Sequence, residues 1–240
     1  VRNNPTGTDN AGTTTNNTRV VFGSLADTGS GAFFLRGLFS YPLTGIPRGT
    51  TARAVPSGEG ISIGASRKWG LPGGDGQPVM TLPGFGGADG STSLLRRYIG
   101  KWGYEAHPWS IGRNMDPGSA RNMGGVLEFM DDVVRLVGAK LHVIRKRSGK
   151  RVSLVGWSLG GLYSRQLAAT YPDLVRQVIT LGTPFGDPRS TIVWPIMRRF
   201  IDSPEPPEAD MARWMQMAKA PLEVPLSIIW SKTDGFVHPK

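Results

Sequence analysis

From Pro78 onward, short strand-like runs rich in apolar and β-branched residues alternate with longer stretches whose apolar residues recur every three or four positions. The runs Pro78–Leu82, Glu105–Trp109, Arg151–Val155, Val175–Leu181 and Leu226–Trp230 read as strands, because a strand of four to eight residues buried in a parallel sheet needs no polar face. Between them, Ser93–Trp102 and Leu159–Thr170 carry helical spacing, and Pro172 stops the second. A longer helix follows Asn122, which is placed to cap it, with Leu127, Met130, Val134, Val137, Leu141 and Ile144 on one face. Strand alternating with helix implies βαβ units, so the expected fold class is α/β, a mainly parallel sheet flanked by helices. Residues 1–75 follow neither period. They are rich in Gly, Thr, Asn, Pro and Ser, with apolar islands at Arg19–Leu25, Ala32–Leu43 and Gly60–Ala65. Hairpin strands and an irregular wrap both remain open for the islands, and the first 18 residues read as disordered. The expected organisation is an irregular N-terminal extension, 1–75, and a core, 76–240, with a cap-like insertion at about 186–224.

Composition narrows the classes. At 240 residues and 39% hydrophobic, the chain suits one α/β domain with a sizeable core. No apolar run approaches the roughly 18 residues of a membrane-spanning helix. Cysteine is absent, which excludes a disulfide scaffold and thiol chemistry. Val1–Pro5 shows no charged-then-apolar signal, so the reading leaves a cytoplasmic or a secreted location open. The net charge is +10, with Arg145, Lys146, Arg147, Lys150 and Arg151 clustered where the long helix ends, a place its dipole favours for cations. Neither interleaved aromatics nor a groove-reading motif accompanies them, so no nucleic-acid partner is expected; contact with an anionic lipid surface is the more natural use. No His/Asp/Glu cluster has metal-ligand spacing, and no cofactor motif is present.

The chemistry is concentrated in Val152–Gly161, VSLVGWSLGG. A β-branched run enters Gly-x-Ser-x-Gly and a helical pattern leaves it, which is the strand–turn–helix context of a nucleophile elbow with Ser158 at its tip. A glycine-rich β–α turn with an incidental serine is the bland alternative. A serine hydroxyl becomes a useful nucleophile only when a histidine takes its proton.

Five phrases in order carry a family resemblance: Leu82–Gly87 (LPGFGG), Gly112–Asn114 (GRN), Leu154–Gly161, Val178–Phe185 (VITLGTPF) and Ser231–Val237 (SKTDGFV). Over residues 78–240 the chain resembles the α/β-hydrolase fold, nearest its bacterial lipase and esterase branch. The resemblance implies Ser158 as nucleophile and an oxyanion hole from the backbone N–H groups of Leu159 and Phe85. Gly84, Gly86 and Gly87 would let the second loop approach the substrate. Asp234, just past the last strand, becomes the triad acid, with Asp187 as runner-up.

Histidine breaks the pattern. The family order is Ser, acid, His, with the base well past the acid, whereas only six residues follow Asp234. Of the three histidines, His142 is expected on the helix surface and His107 in packing, which leaves His238 as a weak fallback. The resemblance therefore implies that the last strand, the histidine loop and the final helix are not in this sequence. Leu226–Trp230 would then be an open sheet edge, prone to pair with another chain.

The expected activity is serine carboxylester hydrolysis of short- to medium-chain acyl esters through an acyl-enzyme. The alternative is a weak or inactive hydrolase-fold protein serving as a binding or assembly module. Ile192, Val193, Trp194, Ile196, Met197, Trp214, Met215 and Met217 in the insertion either line an acyl pocket or form the buried face of two short helices.

Overall fold

The computed structural model describes residues 18–22, 74–115, 122–190, 194–195 and 206–230. Strands β1 (Thr18–Phe22), β2 (Pro78–Leu82), β3 (Glu105–Pro108), β4 (Val152–Trp157), β5 (Val175–Leu181) and β6 (Leu226–Trp230) form one sheet in the order β1-β6-β5-β4-β2-β3. Every pairing is parallel. Helices α1 (Ser93–Lys101), α2 (Met123–Ser148), α3 (Leu159–Thr170) and α4 (Glu208–Lys219) fill the crossovers. The fold is a parallel α/β sheet flanked by helices, as the alternating pattern implies.

Strand alternation divides the core in two. Met80, Leu82, Leu154, Val178 and Leu226 point to one face, where α2, α3 and α4 add Met130, Val137, Leu141, Leu162, Leu167 and Trp214. Val79, Val155, Ile179 and Ile229 point to the other, against Ile99 and Leu95 of α1. With both faces covered, β2 is buried along its whole length, which is why it reads as an apolar run rather than an alternating one. Helix α2 begins where expected: the Asn122 side chain accepts from the Gly125 N–H at 2.8 Å. It ends at Gly149, whose φ of 69° is the left-handed conformation that suits glycine at a helix C-terminus.

One expectation changes and one open alternative is narrowed. The outer edge of β6 is not open: β1 pairs along it in parallel, Thr18 beside Leu226 through Phe22 beside Trp230. The first apolar island is thus a sheet strand rather than an irregular wrap. Parallel pairing across some two hundred residues leaves no local mark in a sequence. In the insertion, Met211, Trp214 and Ala218 form the buried stripe of α4, and with Trp194 they belong to the main core. They are therefore packing residues rather than pocket lining. Ile192, Val193, Ile196 and Met197 lie outside the described residues.

Strand order also locates the site. The chain steps from β2 outward to β3, then returns to the other side of β2 with β4 and continues through β5 and β6. At such a reversal the loops leaving two neighbouring strands diverge and open a crevice at their C-terminal ends. Here those strands are β2 and β4.

Candidate active site

The crevice is bounded by the turn after β4 and the loop after β2. Leu82 pairs with Gly156, so both strands end level. Ser158 then takes φ 51° and ψ −121°, a strained geometry for a residue with a Cβ that costs about 1–3 kcal/mol. It is the N-cap of α3, so its side chain stands at the positive end of that helix dipole.

The strain is held from three sides. The Ser158 N–H donates to the Leu181 carbonyl at 2.8 Å. Its carbonyl accepts from the Gly161 N–H at 2.9 Å and from the Thr183 hydroxyl at 3.0 Å. Glycine is required around the serine for space. A Cβ on Gly156 would run into the backbone of Gly160 and Gly161, and one on Gly160 into the backbone of Leu82 and Pro83. The strand–turn–helix context of the elbow is therefore present, with Ser158 at its tip.

The loop after β2 lies against the elbow. A Cβ placed on Gly84 would stand 3.1 Å from the Ser158 Cβ and 3.4 Å from the Trp157 carbonyl. Phe85 follows directly, half-buried against the main core, while Leu159 is buried at the first turn of α3. Ser158, the Phe85 loop and Leu159 thus converge. Gly86 is left-handed at φ 68°, which turns the loop back, and its N–H donates to the Asn114 carbonyl at 2.7 Å. Beyond the loop, Asp89 Oδ1 accepts from the backbone N–H groups of Trp109 and Ser110. Arg96 donates to the hydroxyls of Thr81 and Thr92 and to the Asp89 carbonyl. Asn114 and Thr183 stand inside the phrases GRN and LGT, but only the tertiary contacts show what they hold.

Neither described histidine reaches Ser158. His107 sits on β3 beside Met80, which pairs with Leu154, four residues before the serine. Strand spacing and rise put it on the order of 15 Å away. Burial holds its imidazole below the ordinary histidine range, outweighing Glu105, whose Oε1 lies 3.2 Å off without hydrogen-bond alignment. Exposed His142 packs edge-on to Tyr171, at the end of α3 remote from Ser158. Twelve residues of helix separate the two ends, about 18 Å. Asp187, the runner-up acid, is gripped by Arg189 through Nε, Nη2 and the backbone N–H, and this pairing holds its carboxyl below the usual range. Asp234 and His238 lie outside the described residues. Among the described residues no group of His, Asp and Glu could hold a metal ion, and no helix is long and apolar enough to cross a membrane.

A sequence model of the alpha/beta hydrolase fold matches residues 80–237, well over half the chain. The chain belongs to the alpha/beta hydrolase fold family. Solved structures similar to this α/β-hydrolase include the Bacillus licheniformis lipase BlEst2 in mature form, at 18% identity and TM-score 0.42, covering 66% of each chain. Another comes from the metagenome-derived lipolytic enzymes LipS and LipT, at 16% identity and TM-score 0.48, covering 70% of this chain and 76% of that one. A soluble variant of the Saccharomyces cerevisiae monoglyceride lipase matches at 15% identity and TM-score 0.47, over 68% of this chain and 70% of that one. These three neighbours are named as lipases or lipolytic enzymes, all at low identity.

Proposed function

We propose that this chain is a serine carboxylester hydrolase acting on short- to medium-chain acyl esters. One observation carries the reading: Ser158 is held at φ 51° at the head of α3 with the Gly84–Phe85 loop packed against it. In this reaction Ser158 Oγ attacks the ester carbonyl carbon while its proton passes to an imidazole base. The carbonyl oxygen becomes an oxyanion that accepts from the backbone N–H groups of Leu159 and Phe85, beside the positive end of α3. Collapse re-forms the carbonyl and expels the alcohol, which takes the proton from the imidazolium. Water then attacks the acyl-enzyme by the same steps and releases the acid. Asp234 is the proposed orienting acid, and His238 is the base to test first, since His107 and His142 stand away from Ser158. The net charge of +10 supports a role for an anionic lipid or fatty-acid surface in bringing substrate to the site.

The remoteness of both described histidines favours one competing reading, a hydrolase fold that binds without turnover. A fluorophosphonate probe separates the two, because it phosphonylates only an activated serine. Stoichiometric labelling mapped to Ser158 by mass spectrometry, and lost in Ser158→Ala and His238→Ala, is the expected result. Folded protein that takes up no label would overturn the hydrolase reading.

A further inference from the structure

Asn114 is fully buried and makes four hydrogen bonds that converge on the two walls of the crevice. Its backbone pairs reciprocally with the loop after β2: the Asn114 N–H donates to the Gly87 carbonyl at 2.7 Å, and its carbonyl accepts from the Gly86 N–H at 2.7 Å. Its side-chain Nδ2 donates to the Pro83 carbonyl at 2.8 Å. Its Oδ1 accepts from the Tyr163 hydroxyl at 2.7 Å. The Pro83 carbonyl can only accept, which fixes the amide orientation and leaves Oδ1 for the tyrosine. Tyr163 lies on α3, five residues past Ser158, and is fully buried. Burial pushes its phenol far above the ordinary range, so it remains a neutral O–H donor.

The segment bearing Asn114 is shaped for this contact. Ser110, Gly112 and Met115 all adopt positive φ, at 52°, 99° and 61°. The turn is closed by the Trp109 Nε1–H donating to the Gly112 carbonyl at 3.1 Å and by the Lys140 ammonium donating to the Ser110 carbonyl at 2.9 Å. The Trp109 ring stacks on Tyr163 with centroids 6.4 Å apart, so the same segment meets α3 through both an aromatic face and a hydrogen bond. Strained backbone at two residues with side chains persists only where the surroundings over-determine it.

We infer that Asn114 and Tyr163 are positioning residues that couple the loop carrying the Phe85 N–H to the helix carrying the Leu159 N–H. The coupling sets the separation of the two donors of the oxyanion hole. The inference rests on the ester-hydrolase reading for its catalytic consequence, but the coupling itself is a property of the folded chain. Neither side chain faces the substrate: both are buried behind the loop. Their effect is therefore on the transition state, where charge develops between the two donors, and hardly on ground-state binding. Full loss of one donor costs about a hundred- to a thousandfold in kcat, and loosening one costs less.

The test compares Tyr163→Phe, Asn114→Ala and Val137→Ala with the parent chain. Val137 is buried in α2, away from the crevice, and controls for plain destabilisation. At 25 °C the expected kcat for p-nitrophenyl butyrate falls on the order of tenfold in Tyr163→Phe and a hundredfold in Asn114→Ala, with KM within about twofold. Val137→Ala is expected to lower the melting temperature with kcat unchanged. Hydrogen exchange of the 83–87 peptide should quicken in the first two variants and not in the third. Unchanged kcat and unchanged exchange in folded Tyr163→Phe would overturn the inference. So would kcat losses matched by Val137→Ala at an equal melting temperature. If the parent has no Ser158-dependent turnover, the ester-hydrolase reading falls by itself, and exchange of the 83–87 peptide alone decides the coupling.

Discussion

Substituting Gly160 by Ala adds one methyl group at the closest contact between the elbow and the loop after β2. An ideal Cβ there collides first with the Leu82 carbonyl oxygen, and it also falls 2.7 Å from the Leu82 carbonyl carbon and the Pro83 oxygen, about 0.7 Å short of the 3.4 Å at which ordinary contact begins. Those atoms are backbone and cannot rotate away. Relief requires α3 and the end of β2 to separate, which would shift Leu159 relative to the loop carrying Phe85. Overpacking of this kind costs about 1–3 kcal/mol, which for a domain of this size lowers Tm by roughly 2–12 °C. The effect on rate should exceed the effect on stability, because displacement of a reacting geometry by about 1 Å can cost a hundredfold. Gly100→Ala is the matched control. Gly100 lies exposed on α1 with open space around its Cβ position, so Ala there should be neutral or stabilising by up to about 1 kcal/mol. Thermal melts and initial ester-hydrolysis rates on both variants check the prediction. A Gly160→Ala protein with the parent's Tm and rate would refute the steric reasoning, and with it the claim that elbow and loop are set by contact.

Three further outcomes are expected. Thr183→Val removes the hydroxyl that donates to the Ser158 carbonyl while keeping the shape packed against Gly161. A loss of about 1–2 kcal/mol in a denaturant melt is expected, and no loss would mean that the bond does not hold the elbow. His107 has a folded pKa below 6.5, so below about pH 6.5 the unfolded chain binds a proton that the folded chain resists. Stability should therefore decline as pH falls through 6.5 toward the folded pKa, and His107→Gln should flatten that slope in melts taken from pH 7.5 to 5; an unchanged slope would reject the assignment. Deleting residues 1–22 removes β1 and uncovers β6, and light scattering should show more self-association than the full chain gives; a deletion variant that associates no more than the full chain would argue against β1 as the edge cover.

The parallel sheet was legible because its central strands are largely buried, so Pro78–Leu82, Val175–Leu181 and Leu226–Trp230 stand out as short runs rich in apolar and β-branched residues with the observed limits. The elbow was legible because its chemistry is local: two glycines, a serine and a helical pattern within ten residues. Long-range contacts were not. Nothing in Thr18–Phe22 marks Leu226–Trp230 as its partner, and Asn114 reads as a loop residue until Pro83 and Tyr163 are seen on either side of it. Trp194 and Trp214 stayed open between pocket and core for a related reason. A Met- and Trp-rich stripe looks the same whether it faces a ligand or a core, and burial decides for the core.

The central claim is that Ser158 is a working nucleophile, and p-nitrophenyl butyrate hydrolysis by the chain beside its Ser158→Ala variant tests it most directly. Turnover is expected in the parent, with a fall of at least about a thousandfold in the variant, since losing the nucleophile leaves only what binding and the oxyanion hole provide. Equal rates in the two folded proteins would contradict it.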